Sequence, residues 1–129
     1  MIVLDASAAV DLLLGNDSAS IEARVFAHGE EVHAPHLLDI EVASVLRRLA
    51  WRDEVTAVRA GQAMEDFIEL PIHRHAHERY VPRIWELRFN LTAYDAVYVA
   101  LAEVLGVPLL TRDRKLTATA GHEATVELV

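Results

Sequence analysis

Hydrophobic residues along the chain fall into short continuous runs and into longer stretches with helical spacing. The short runs predict strands at residues 1–4, 31–34, 68–72, 108–110 and 126–128, since a strand covered on both faces is apolar throughout. The longer stretches predict helices at residues 6–14, 18–28, 37–52, 54–67, 76–89 and 92–105, and one helical turn at 114–118. Strands that alternate with helices indicate an α/β fold. We expect a central, mostly parallel sheet of about five strands with helices on both faces.

Two glycines are predicted to end helices. Gly15, followed by Asn16, stops the first helix, and Gly106 stops the helix at 92–105, because glycine adopts the left-handed conformation that closes many helices. The helix at 92–105 is apolar nearly all round and is expected to be deeply buried.

Composition narrows the possible classes of protein. The 129 residues suit a single domain, 1–129, and no repeat or linker divides them. With 12 Lys and Arg against 20 Asp and Glu, the net charge is −8, which argues against a protein that coats nucleic acid by overall positive charge. The absence of cysteine excludes disulfides and thiolate metal sites. Apolar stretches are short and interrupted by charge, and the amino terminus lacks a basic leader, so we expect a cytoplasmic, soluble protein.

Four acidic residues are predicted to meet at one edge of the sheet. Asp5 follows the first strand, Glu41 lies early in the helix after the second, Asp95 lies in the first turn of a later helix, and Asp113 follows the fourth strand. In a parallel sheet all four positions lie beyond the carboxyl ends of the strands, where open α/β sheets form their ligand crevice.

Each of these residues also has a structural interpretation. Asp5 can cap the following helix, Asp95 completes a capping-box spacing with Thr92, and Asp113 suits a turn. Glu41 lies at the edge of an apolar helical stripe, where a carboxylate is costly unless it is paired or bound to metal. Because independent structural roles would have to converge on one edge by chance, we interpret the cluster as a functional site.

A divalent cation would relieve the repulsion within such a cluster. Carboxylate oxygens without thiolates favour Mg²⁺ or Mn²⁺ over zinc. Mg²⁺ commonly meets phosphate oxygens in proteins, so metal-assisted hydrolysis of a phosphate ester by an activated water is the chemistry we expect.

Four segments resemble, in order, the motifs of the PIN-domain family and its VapC-type toxins. They are Ile-Val-Leu-Asp-Ala-Ser-Ala at residues 2–8, the helix at 35–46 that carries Glu41, Tyr-Asp-Ala-Val-Tyr-Val-Ala-Leu-Ala at 94–102, and Leu-Leu-Thr-Arg-Asp-Arg-Lys-Leu at 109–116. The resemblance implies a three-layer α/β/α sandwich. It also implies a Mg²⁺- or Mn²⁺-dependent endoribonuclease that cleaves RNA and inhibits translation. Such a toxin belongs to a type II toxin–antitoxin pair, forms a homodimer and is blocked by a VapB-type antitoxin.

The same resemblance assigns roles to individual residues. Metal binding and catalysis fall to Asp5, Glu41, Asp95 and Asp113, and the hydroxyls of Ser7 and Thr111 support the carboxylates or the phosphate. Nearby basic residues are candidates for contact with RNA, namely Arg112, Arg114 and Lys115.

Other polar residues are expected to be solvated and outside the site. They are the arginines 47, 48, 52 and 59, the alternating His-Arg-His-Ala-His of residues 73–77, which is typical of a linker, and two further aspartates, Asp11 and Asp39. Asp11 is expected to lie out of reach of the strand ends.

Three other functions remain open at this point. A phosphohydrolase resembling the haloacid-dehalogenase group would use Asp5 as a nucleophile, but Ser7 stands where that group carries a second aspartate. A receiver-type signalling domain needs an aspartate after its third strand, where this chain has Pro-Ile-His. A PIN fold that serves only as a binding module is the third alternative.

Overall fold

A parallel sheet of five strands organises the computed structural model, which describes residues 1–15 and 18–129. The strands are β1 (Ile2–Leu4), β2 (Val32–Pro35), β3 (Ile72–His75), β4 (Leu109–Thr111) and β5 (Val126–Leu128). Their order across the sheet is β3-β2-β1-β4-β5, and every neighbouring pair is parallel. The predicted α/β fold with about five strands is confirmed. Asn16, part of the predicted stop of the first helix, lies outside the described residues.

Helices cover both faces of this sheet. They are α1 (Ala6–Leu14), α2 (Ala19–Glu22, continued by a π-helical segment Ala23–Ala27), α3 (Leu37–Trp51), α4 (Ala57–Glu69), α5 (Val81–Glu86, preceded by a 3₁₀ turn Glu78–Tyr80), α6 (Ala93–Leu105) and α7 (Arg114–Thr117). Helices α1, α3 and α4 pack together, whereas α5 packs on α6, which lies against β1, β2 and β4. This is the expected three-layer sandwich. No helix in the described ranges has the length and apolar character needed to cross a membrane.

The central strand and α6 are buried because their sequences are apolar without interruption. Residues Ile2, Val3 and Leu4 are at most 1% exposed, and α6 is buried from Ala96 to Ala102. Thr92 caps the amino terminus of α6, and Gly106 takes the left-handed conformation at its end with a φ of 65°. Both predicted ends of this helix are confirmed to within a residue.

The strand predicted at residues 68–72 is wrong. Helix α4 continues to Glu69, and Ile68 is 69% exposed on its surface rather than buried in the sheet. Proline at position 71 follows the helix, and β3 begins one residue later at Ile72. As an edge strand, β3 is rich in polar residues, so the apolar run before it is a misleading signal.

The histidine-rich segment predicted as a solvated linker is instead partly this edge strand. His33 of β2 lies beside it, with its Nδ1 atom 2.9 Å from Nε2 of His75 and its ring stacked on His73 at 4.9 Å. Burial, together with the neighbouring imidazoles, lowers the pKa of both His33 and His75. The predicted helix at 76–89 is also shorter than expected, because Pro82 lies in the first turn of α5 and the helix begins there.

Burial in the core predicts that two leucines of neighbouring strands contribute very differently to the free energy of unfolding. Leu110→Ala in β4 removes a side chain that is 0% exposed, whereas Leu128→Ala in β5 removes one that is 44% exposed. We expect the first change to lower the free energy of unfolding by about 2–5 kcal/mol and the second by less than about 1 kcal/mol. Urea denaturation followed by circular dichroism measures both, and equal losses would contradict the observed layering.

Candidate active site

The structure brings all four predicted carboxylates to one cleft of about 410 Å³ at the carboxyl edge of the sheet. The cleft lies between α1, α3 and the start of α6. Its other lining residues are Ala6, Ser7, Val10, Asp11, Val45, Arg48, Leu49, Tyr98 and Arg112. Side chains that are far apart in the chain therefore share one crevice because parallel strands end at the same edge.

Asp5 is the most firmly held of these side chains. Its Oδ1 atom accepts hydrogen bonds from the backbone amide of Ala8 at 2.9 Å and from the Ser7 hydroxyl at 2.7 Å. Its Oδ2 atom accepts a hydrogen bond from the Thr111 hydroxyl. Asp5 is 8% exposed and caps α1, so its predicted structural role and its place in the cleft occur together.

The two hydroxyls are oriented by the backbone that leaves β4. The amide of Arg112 donates to Ser7 Oγ at 2.9 Å, and the amide of Asp113 donates to Thr111 Oγ1 at 3.0 Å. Each hydroxyl oxygen accepts from an amide and donates its own proton to Asp5, which as a carboxylate can only accept. Ser7 and Thr111 thus fix the carboxylate of Asp5 and join the ends of β1 and β4.

Glu41 is held from across the cleft by Tyr98, a residue to which the sequence alone assigns no role. The Tyr98 hydroxyl donates to Glu41 Oε1 at 2.6 Å, and Tyr98 is only 2% exposed. Tyr98 follows Asp95 by three positions on α6, a spacing that places both on one side of the helix. That spacing is the signal in the sequence that could have identified it.

Asp95 and Asp113 both stand at helix amino termini. The backbone amide of Asp95 donates to Thr92 Oγ1 at 3.3 Å, which is one half of the predicted capping box. Asp113 caps α7 by accepting from the amide of Lys115 at 2.9 Å. The partial positive charge at a helix amino terminus favours an anion at either position.

Burial and mutual repulsion make the cleft electrostatically costly. Burial raises the pKa of Asp5, and the charge of Asp95 adds to this, whereas hydrogen bonds from Ala8, Thr111 and Ser7 oppose it. The pKa of Glu41 is raised by burial and by the charges of Asp95 and Asp5, against the hydrogen bond from Tyr98. Burial and the charge of Asp113 raise the pKa of Asp95. Carboxylates that raise one another's pKa form a site suited to a bound cation.

The predicted RNA-contacting residues differ in their surroundings. Arg112 is engaged by the protein, since its Nε atom lies 2.7 Å from Asp11 Oδ2 and its guanidinium donates to the carbonyl of Val129. Arg114 and Lys115 are exposed beside the cleft.

Two predictions about aspartates outside the site are wrong. Asp11, expected out of reach of the strand ends, lines the cleft and pairs with Arg112, which follows β4 directly. Asp39, expected to be solvated, forms an ion pair with Arg74 at 2.8 Å. Both partners lie far away in the chain, so local spacing could not reveal them.

The chemistry of the donor set fits a hard divalent cation. Carboxylate oxygens line the cleft, and their raised pKa values show the charge that a cation would neutralise. Within residues 1–15 and 18–129, no three histidine, aspartate or glutamate side chains are arranged so that they could together hold a metal ion. Mg²⁺ retains several waters and takes one or two carboxylates directly, so a wider spacing of the acids suits it.

Known proteins resemble this chain in sequence and in fold. The PIN domain family matches residues 2–122. Ribonuclease VapC9 of Mycobacterium tuberculosis (strain ATCC 25618 / H37Rv) is 45% identical over 129 residues, which cover 100% of this chain and 98% of the relative. The crystal structure of PAE2754 from Pyrobaculum aerophilum matches with a TM-score of 0.73 and 25% identity, over 97% of this chain and 87% of that one. The structure of VapBC2 from Rickettsia felis, bound to a DNA fragment from their promoter, matches with a TM-score of 0.69 and 14% identity. The match covers 99% of this chain and 98% of that one, and it shows a similar fold.

The repulsion in the cleft predicts that Glu41→Gln stabilises the metal-free protein near pH 7. The amide oxygen of glutamine can still accept from Tyr98, whereas the buried charge is removed. Allowing for the half-exposed position, we expect a gain on the order of 0.5–1 kcal/mol in the free energy of unfolding. Glu65→Gln, at an exposed position of α4, is the control and should change stability by less than about 0.5 kcal/mol.

The gain should depend on pH in a defined direction. Because the pKa of Glu41 is raised in the folded state, its penalty is full above that pKa and shrinks as the pH falls through it. The difference between Glu41→Gln and the wild type should therefore disappear by roughly pH 4, near the unfolded value. Thermal melts in a chelator at several pH values test this, and a variant less stable than the wild type at pH 7 would contradict the repulsion.

Proposed function

Since the chain belongs to the PIN domain family and to its VapC-type members, we propose that it is a Mg²⁺- or Mn²⁺-dependent endoribonuclease toxin of a type II toxin–antitoxin pair. The observation that carries the proposal is the convergence of Asp5, Glu41, Asp95 and Asp113 on one cleft. Relatives that match the full length and bear the name ribonuclease support the reaction class. PIN membership also removes the grounds for the haloacid-dehalogenase and receiver alternatives.

One or two carboxylates of the cleft would bind the cation directly, with Asp5 in a fixed orientation, and the remaining acids would bind it through its water ligands. When bound, Mg²⁺ or Mn²⁺ supplies a Lewis acid that offsets the charge of the scissile phosphate and makes a water more acidic. The hydroxyls of Ser7 and Thr111 keep both oxygens of Asp5 in place through their hydrogen bonds. Preorganised ligands reduce the reorganisation that the reaction requires.

The carboxylates of the cleft would also accept the proton that the reaction releases. In hydrolysis a water oxygen attacks phosphorus in line with the 3′ oxygen, the P–O3′ bond breaks, and the 3′ oxygen leaves and takes up a proton. The water loses its proton to a carboxylate of the cleft, and Glu41 and Asp95 are the candidates because both oxygens of Asp5 are already engaged by hydrogen bonds from Ala8, Ser7 and Thr111. The products are a 5′-phosphate and a 3′-hydroxyl.

The proposal includes partners and a compartment. The RNA backbone would meet Arg114 and Lys115 beside the cleft, whereas Arg112 acts mainly by holding Asp11 and the end of β5. A VapB-type antitoxin would block the cleft, a partner that the resemblance to VapC-type toxins implies. We expect a homodimer that acts in the cytoplasm and inhibits translation by cleaving RNA.

Asp95→Asn should abolish most cleavage without unfolding the protein. It removes the charge of one cleft carboxylate and leaves Thr92 to cap α6, so we expect the rate to fall roughly 100-fold or more. Purified protein is incubated with an unstructured RNA and Mg²⁺ or Mn²⁺, the 5′ ends are mapped, and calorimetry measures Mn²⁺ uptake. Asp95 is preferred to Asp5 for this test because Asp5→Ala also removes the cap of α1.

Asp66→Asn on α4, an exposed change far from the cleft, serves as the matched control and should cleave like the wild type. Chelation with EDTA should stop cleavage, and added Mg²⁺ should restore it. Full cleavage by Asp95→Asn, or cleavage that survives EDTA, would refute the proposal. Partner binding without any RNA cleavage would instead identify a binding module.

A further inference from the structure

The side chains that line the cleft carry more negative than positive charge, so they would repel the phosphates of an RNA. Five of its described lining residues are acids, namely Asp5, Asp11, Glu41, Asp95 and Asp113. The two cations of that lining are Arg48 and Arg112. Arg112 pairs with Asp11 and donates to the carbonyl of Val129, so its positive charge is largely neutralised within the protein.

Arg48 stands in different surroundings from several other arginines on the molecule. Arg24, Arg74 and Arg83 each form an ion pair with a carboxylate. Arg48 is exposed on the wall of the cleft, and in the part of the chain that the structure describes no carboxylate lies within salt-bridge distance of it. A guanidinium that faces a cleft without a protein partner is available to an anionic ligand.

The position of Arg48 along α3 indicates which part of an RNA it would meet. Glu41, Val45 and Arg48 share one face of the helix, since Val45 and Arg48 follow Glu41 by four and seven positions. Seven residues correspond to about 10 Å along the helix axis. Arg48 therefore lies beyond the carboxylates, on the same wall, rather than among them.

We propose that Arg48 binds a phosphate of the RNA that flanks the scissile phosphate, and so anchors the substrate along the α3 wall. The inference rests on the proposed function, because it concerns how the same cleft holds its substrate. It reverses the expectation that Arg48 is merely solvated. Arg48 is a binding residue in this scheme and takes no part in the bond-breaking step.

Arg48→Ala should weaken binding more than turnover. We expect KM for a short unstructured RNA to rise about tenfold, as for removal of one charge-assisted hydrogen bond, with kcat within about threefold of the wild type. Anisotropy of a labelled RNA, measured on Asp95→Asn protein so that it is not cut, gives affinity as a function of salt. The slope of log affinity against log salt should become shallower by about 0.7 for each phosphate of a single strand that the variant no longer neutralises.

Arg47→Ala is the control, because Arg47 is the neighbouring arginine on α3, is exposed and stacks on Trp51 outside the cleft. It should leave KM and the salt slope unchanged, and Arg48→Lys should restore most of the affinity. Thermal melts check that each variant is folded.

Equal KM values and salt slopes for Arg48→Ala and Arg47→Ala would overturn the inference. So would weakened binding of a co-expressed partner protein with unchanged RNA binding, which would assign Arg48 to a protein interface. If the wild type binds RNA through Arg48 but does not cleave it, the proposed function fails while the phosphate contact stands.

Discussion

The structure depends on keeping several negative charges together at one poorly solvated edge of a parallel sheet. Asp5 and its neighbours repel one another and lose hydration, and both effects raise their pKa values. Two features of the backbone oppose these effects. Helix amino termini point at the carboxylates, and the chain leaving β4 orients the hydroxyls of Ser7 and Thr111 toward Asp5. The cleft can thus keep several carboxylates together, as the proposed cation site requires.

A capping position and a place in the cleft coincide in three of these acids. Asp5 begins α1, Asp113 begins α7, and Asp95 lies in the first turn of α6. In a parallel sheet the helix that follows a strand starts at the carboxyl edge, so a residue that caps the helix also faces the crevice. This coincidence explains why Asp5 and Asp95, taken singly, support a capping role as well as a functional one. Their number at one edge is the reason that we interpret them as a functional site.

The sequence is informative where the chemistry is local. The apolar runs of β1 and α6 and the capping residue Thr92 predict buried elements and their ends because burial and capping depend on neighbours in the chain. Prediction fails at β3, where an edge strand made of His-Arg-His has no apolar signal of its own. It also misses the contact of Tyr98 with Glu41 and the pairing of Asp11 with Arg112, since both depend on how distant elements pack.

The same electrostatics explain why an arginine that binds phosphate is better placed on the wall of the cleft than among its acids. An arginine placed beside the carboxylates forms an ion pair, as Arg112 does with Asp11, and its charge is then neutralised within the protein. It would also compete with a divalent cation for the same oxygens. A cation farther along α3 avoids both effects, because it attracts a phosphate backbone without neutralising the acids. In the proposed function, separating the two kinds of positive charge would let an acidic cleft bind a polyanion.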